Sequence, residues 1–173
     1  MIKRVAQLAL ILTALGQPTD RGLAQTHHHT SPWYRKSRVL DLTGAGPRDS
    51  VVVSAIGTQP DSLHITLRLF VAGKEAYAVG WDSDYELIDV DSLDRRPPRL
   101  AMFIRHSLDD VLARVKREPI DWDMVRMRVD STTLNQFNAR PTHQVRIRYG
   151  YESTVVLGWD SRSGRFLTLW NCC

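Results

Sequence analysis

Four arginines stand where they could act together. Arg126 and Arg128 alternate with Val125, Met127 and Val129, while Arg146 and Arg148 alternate with Val145, Ile147 and Tyr149. Such alternation is the period of a strand with one buried face. If the two runs pair, four guanidinium groups share one sheet face, with Arg68 as a fifth member by analogy. A guanidinium meets an oxyanion through two parallel N–H bonds, so this face would suit a phosphate, a sulfated glycan or an acidic partner. Its other use is a solvated sheet face balanced by acidic cross-strand neighbours. Aromatic residues are not interleaved along the stripe, which argues against single-stranded nucleic acid.

A second constellation occurs twice, as Gly80-Trp81-Asp82-Ser83 and as Gly158-Trp159-Asp160-Ser161. Trp81 with Asp82, and Trp159 with Asp160, could grip a ligand between a ring and a carboxylate, once per copy. Local chemistry explains the same four residues. The Gly lets a backbone or a ring approach closely, the Trp buries a large surface, and the Asp and Ser bond their own backbone to set a turn.

Metal chemistry has three candidates. His27, His28 and His29 follow a cleavage site expected before Gln25, which would make His27 the third residue of the processed chain. A free amine, two backbone nitrogens and that imidazole could wrap Cu²⁺ or Ni²⁺. Cys172 and Cys173, the only cysteines, could close on each other, join two chains or bind a thiophilic metal. Asp82, Asp84, Glu86, Asp89, Asp91 and Asp94 begin like a calcium loop. Leu87 and Leu93 stand where that loop needs Gly and Glu, so the pattern fails.

No nucleophile elbow, phosphate-binding glycine loop, zinc-protease motif or dinucleotide fingerprint is present. Outside the tract the histidines are His64, His106 and His143, and spacing alone brings none of them to an acid and a nucleophile.

The elements that must position these residues come from the same periodicities. Leu63, Ile65, Leu67, Leu69 and Val71 make the clearest strand. From Leu67 to Ser161 the two copies of the motif align without a gap at an offset of 78, and the turns Ala72-Gly73-Lys74-Glu75 and Gly150-Tyr151-Glu152-Ser153 coincide. This reads as a duplicated meander. Between the halves, Asp94 to Arg99 reads as a connector with Pro97 and Pro98. A helix is expected from Ser107, with Leu108, Val111, Leu112 and Val115 as its apolar stripe, Arg114, Lys116 and Arg117 near its end, and Pro119 as its stop. Met124 to Asp130 reads as a strand, and Ser131 to Thr142 as a loop.

The 173 residues carry a formal charge of +4. Lys3 and Arg4 followed by the apolar run Val5 to Leu15 read as a signal peptide, too short to span a bilayer comfortably. Removing residues 1–24 leaves 20 basic and 18 acidic residues, a balance of +2 that argues for no particular partner.

The expectation is therefore an α+β, mostly β fold: two antiparallel β-meanders with one helix packed on the sheet. Residues 1–24 are the signal peptide, 25–48 an irregular segment with Arg38 to Leu42 as a short edge strand, and 49–173 one β-rich domain. Within it the first meander is 51–91, the connector and helix 92–122 and the second meander 123–173. The expected role is an exported, non-enzymatic binding or structural domain of the cell envelope or extracellular space. Its partner is an unidentified protein or anionic ligand, without cofactor, nucleic acid or membrane contact beyond the leader, and with Cys172 or Cys173 available for a dimer. The alternatives are a small exported hydrolase using His64 or His143 with a nearby Asp, and an exported metal-binding protein.

Overall fold

The alternating apolar runs build two four-stranded antiparallel sheets, seen in a computed structural model that describes residues 32–87, 96–137, 141–150 and 152–172, leaving aside the side chains of residues 85, 124 and 128. The expected leader, His27 to His29, Asp89, Asp91, Asp94 and Cys173 lie outside the described residues.

The first sheet is a meander of β1 (Tyr34–Leu40), β2 (Asp49–Ile56), β3 (His64–Val71) and β4 (Lys74–Asp82). Val51, Val53 and Ala55 of β2 and Ile65, Leu67 and Leu69 of β3 are each 0% exposed and pair across the ladder. The β3–β4 turn is two residues long, with Ala72 and Gly73 both at positive φ, the twist a tight hairpin needs. The stretch read as irregular, with an edge strand at 38–42, thus holds a seven-residue strand, β1, from Tyr34 to Leu40.

The second sheet is a meander of β5 (Lys116–Pro119), β6 (His143–Tyr149), β7 (Ser153–Asp160) and β8 (Arg165–Cys172). The two aligned hairpins are β3–β4 and β6–β7, and both close on the motif's Asp, at Asp82 and Asp160. Their places differ: β4 is the last strand of its sheet, whereas β7 lies between β6 and β8.

The long helix is α1 (Pro97–Arg114), starting ten residues before the expected Ser107. Pro97 and Pro98 occupy its first turn, where proline's missing N–H costs nothing, so the dipeptide read as a connector starts the helix. Leu100, Ile104, Leu108, Val111 and Leu112 give it one buried stripe. It packs on β1 and β2 of the first sheet and on β6 of the second. One apolar core joins α1 to the inner faces of both sheets.

β1 fastens that helix. Tyr34, Lys36 and Arg38 project from one face of the strand at every second residue. The Tyr34 hydroxyl and the Lys36 ammonium each donate to Asp109 Oδ1 at 2.6 Å. The Arg38 guanidinium donates to the carbonyls of Leu112, Ala113 and Val115, capping the helix C-terminus where orphan acceptors collect. Bonds from Lys36 and Tyr34 hold the Asp109 carboxyl below its usual range, and burial followed by Asp109 pushes the Tyr34 phenol up.

α1 ends at Arg114, and Val115 turns the chain into β5. Lys116, Arg117 and Pro119, read as the helix end and its stop, therefore form a strand. Proline is tolerated there because β5 is an edge strand. The run expected as a strand from Met124 to Asp130 is instead α2 (Trp122–Arg128), followed by α3 (Ser131–Asn135) in the expected loop. Val125 and Val129, four apart, point inward together, and Met127 between them is 79% exposed. With Val156, Leu169 and the rings of Trp122, Phe137 and Trp170 they form a second small core.

Candidate functional site

The helical α2 divides the expected arginine face. Arg146 and Arg148 remain together on β6, while Arg126 and Arg128 belong to α2 and do not pair with that strand. Arg126 is bound to the Trp122 carbonyl at 3.2 Å and to Asp123 Oδ1 at 3.0 Å. It borders a separate, more apolar concavity of about 880 Å³ whose walls include Ile120, Trp122, Leu134 and Phe137. The Arg128 side chain is outside the described residues. Arg68 lies in the other sheet, 3.7 Å from Glu75.

A basic cluster forms all the same, from different members. Val145 and Ile147 point into the main core, so Arg146 and Arg148 project from the opposite face of β6. β5 places Lys116 directly opposite Arg146, and the last residue of α1 brings Arg114 alongside. These four cations and Ala113 line a furrow of about 310 Å³. Sequence reasoning missed Lys116 because Lys-Arg-Glu-Pro carries no apolar alternation. It becomes a strand through its ladder with β6.

The cations are not equivalent. Glu118 lies 3.3 Å from Lys116 Nζ and 2.9 Å from Arg146 Nη2, and accepts from Gln144 Nε2 at 2.9 Å. Burial pushes the Glu118 carboxyl up, but the Gln144 bond and the Arg146 and Lys116 charges outweigh it and hold the group below its usual range. Arg146 Nε is buried without a hydrogen-bond partner among the described residues. Arg114 is 3.3 Å from Asp110. Arg148 is exposed and makes no side-chain hydrogen bond or ion pair among the described residues. Thr154 sits opposite it on β7.

Arg114 and Arg148 also border a polar cleft of about 360 Å³, together with Glu86, Ser107, Asp110, Glu152, Ser153 and Thr154. Glu86 knots its wall together. Its Oε1 accepts from Trp81 Nε1 at 2.8 Å and from the Gly150 amide at 3.0 Å, and its Oε2 from the Ser107 hydroxyl. Four parts of the chain thereby meet: β4, the turn after it, α1 and the β6–β7 turn. Trp81 also packs against Tyr149 in a tilted ring contact, with centroids 4.9 Å apart.

The two motif copies are used differently. Trp81 is 6% exposed and supports the cleft, whereas Trp159 is half-buried beside Phe166, centroids 4.9 Å apart. Asp82 is exposed and lies 3.0 Å from His64 Nδ1 across the β3–β4 ladder. Asp160 is 0% exposed and accepts from the Arg162 amide and the Ser163 hydroxyl, closing the β7–β8 turn. In each copy the Trp and the Asp are consecutive strand residues, so ring and carboxylate project from opposite faces of the strand.

The histidines are spread over three elements: His64 on β3, His106 on α1 and His143 on β6. His143 Nδ1 is 2.9 Å from the adjacent Thr142 hydroxyl. Among the described residues no group of three His, Cys, Asp or Glu side chains is placed to hold a metal ion. Cys172 is disulfide-bonded, and Cys173, the chain's other cysteine, lies outside the described residues. No described helix is long and apolar enough to cross a membrane. Compared with protein-family models, curated proteins and solved structures, the chain matches none.

Proposed function

We propose that this chain is a non-enzymatic binding module, exported to the cell envelope or the extracellular space, that holds an anionic ligand in the furrow between α1 and β6. The observation that carries the reading is Arg148: a guanidinium with no side-chain partner among the described residues, flanked by Arg114, Lys116 and Arg146 and facing Thr154. An oxyanion there would receive bidentate bonds from Arg148 and a hydroxyl from Thr154. Lys116 and Arg146, which already share Glu118, would contribute less. Export is supported by the basic-then-apolar leader and by the disulfide at Cys172, a bond that persists in oxidising compartments.

Calorimetric titration with inorganic phosphate tests the reading. The Arg148→Gln protein is expected to bind about tenfold more weakly, or not at all, with unchanged stability. Arg126→Gln, away from the furrow, is expected to bind as the parent does. Equal affinity of the parent and Arg148→Gln proteins would refute the assignment.

A second reading, hydrolysis with His64 as base, draws on its 3.0 Å contact with Asp82, which would orient the ring. Turnover of a generic ester that disappears in His64→Ala would establish it.

A further inference from the structure

The cleft holds a second charge without a side-chain partner among the described residues. Glu152, on the β6–β7 turn, borders the same space as Arg148, and the two form no ion pair with each other. Like Arg148, it has no side-chain bond or ion pair among the described residues. The other carboxylates are engaged: Glu86 with its three donors, and Asp110 with Arg114. Four cations and four carboxylates gather along the furrow and the cleft, which share Arg114 and Arg148, so the site is near neutral overall. Its charge is nevertheless sorted. Lys116 and Arg146 border the furrow alone, Arg114 and Arg148 border both furrow and cleft, and Glu86, Asp110 and Glu152 border the cleft alone.

A polyanion suits such a surface poorly, because its second charge would meet Glu152 and Asp110. A one-ended anion would leave Glu152 unanswered. Complementarity favours a ligand whose own charge is sorted the opposite way. Resting on the anion-binding reading above, we infer that the ligand is a small zwitterion. Its acid group is held by Arg148 with Thr154, and its ammonium group by Glu152. The adjacent hydroxyls of Ser153 and Thr154 fit a polar linker between the two charges.

The test uses the full chain and a length series of linear acids with a terminal amine: aminobutanoate, aminopentanoate and aminohexanoate. Pentanoate and pentylammonium are the one-ended controls, and inorganic phosphate reports the anion end alone. One member of the series is expected to bind about tenfold or more tightly than either control. Glu152→Gln is expected to reduce that affinity to the level of pentanoate while leaving phosphate binding intact, and Arg148→Gln to abolish both. If phosphate binds but no amino acid of the series exceeds pentanoate, the zwitterion assignment is wrong and the anion site stands. If phosphate itself fails to bind the parent protein, the anion reading falls and this inference with it.

Discussion

In the first sheet, Gly80-Trp81-Asp82-Ser83 ends a strand at the sheet's margin. In the second, Gly158-Trp159-Asp160-Ser161 ends a strand with neighbours on both sides. Trp81 turns inward to Glu86 and Tyr149, and Ser83 is 0% exposed, exchanging bonds with both backbone groups of Leu63 at 2.9 Å. Asp82 is left to solvent and His64. In the second copy burial is inverted: Asp160 is 0% exposed, while Trp159 is half-buried and Ser161 exposed. Both glycines admit a ring, but different ones. A Cβ on Gly80 would stand 3.2 Å from the exposed His64 ring, whereas one on Gly158 would stand 2.9 Å from Phe137 and from Pro141. Identical residues at equivalent points of equivalent hairpins thus take roles set by what lies alongside the strand.

Matched substitutions in the two copies sharpen or break this comparison. The largest difference is expected at the tryptophans. Trp81→Ala removes a buried ring and leaves Glu86 without one of its donors, at a cost of about 3–5 kcal/mol by denaturant unfolding. Trp159→Ala, at a half-exposed site, is expected to cost less than half as much. Equal losses would mean that the two copies carry equal loads after all.

Next come the glycines. Gly158→Ala is expected to destabilise by about 1–3 kcal/mol, because Phe137 and Pro141 must yield together. Gly80→Ala is expected to stay within about 0.5 kcal/mol of the parent, since the His64 ring can swing into solvent and Ala suits a strand better than Gly. Removing the Asp160 carboxylate as Asp160→Ala should cost about 1–2 kcal/mol by orphaning its turn donors. The exposed Asp82→Ala should change stability by less than about 0.5 kcal/mol.

The smallest effect is a pH dependence shared between the sheets. Asp109, which ties α1 to the first sheet, and Glu118, in the second, both have carboxyls held below their usual range. A carboxyl depressed by folding adds stability above its unfolded value, about 4, and loses it as pH falls through the lower folded value. Stability should therefore decline below about pH 4, and less steeply in Lys36→Met, where Asp109 loses its first partner. An unchanged acid limb in that variant would remove Asp109 from the account.

Much of this was legible. The strand from Leu63 to Val71 alternates over five apolar positions, a run no helix reproduces; Leu63, Ile65, Leu67 and Leu69 are buried and Val71 partly so. Both hairpins could be placed by the same argument, because turns and alternation are local. The Val125, Met127, Val129 run was not legible in the same way. Three alternating positions also contain a helical spacing of four, and the chain buries Val125 on α2 together with Val129 just past its end, where the Val129 amide still bonds the Val125 carbonyl. Pro97 and Pro98 misled for a related reason: proline breaks a helix from within but is welcome in its first turn.

What the sequence by itself determined was period and punctuation: which residues share a strand face, where the hairpins turn, and that two copies of one motif close them. Those follow from steric rules acting over a few neighbouring residues. Only the tertiary structure decided which hairpin lies at a sheet's margin, that Lys116 and Arg114 rather than Arg126 and Arg128 stand beside Arg146 and Arg148, and that Glu86 joins both sheets to α1. Each of these depends on pairings between residues far apart in the chain, where the choice is made by burial and hydrogen-bond partners that no local window contains.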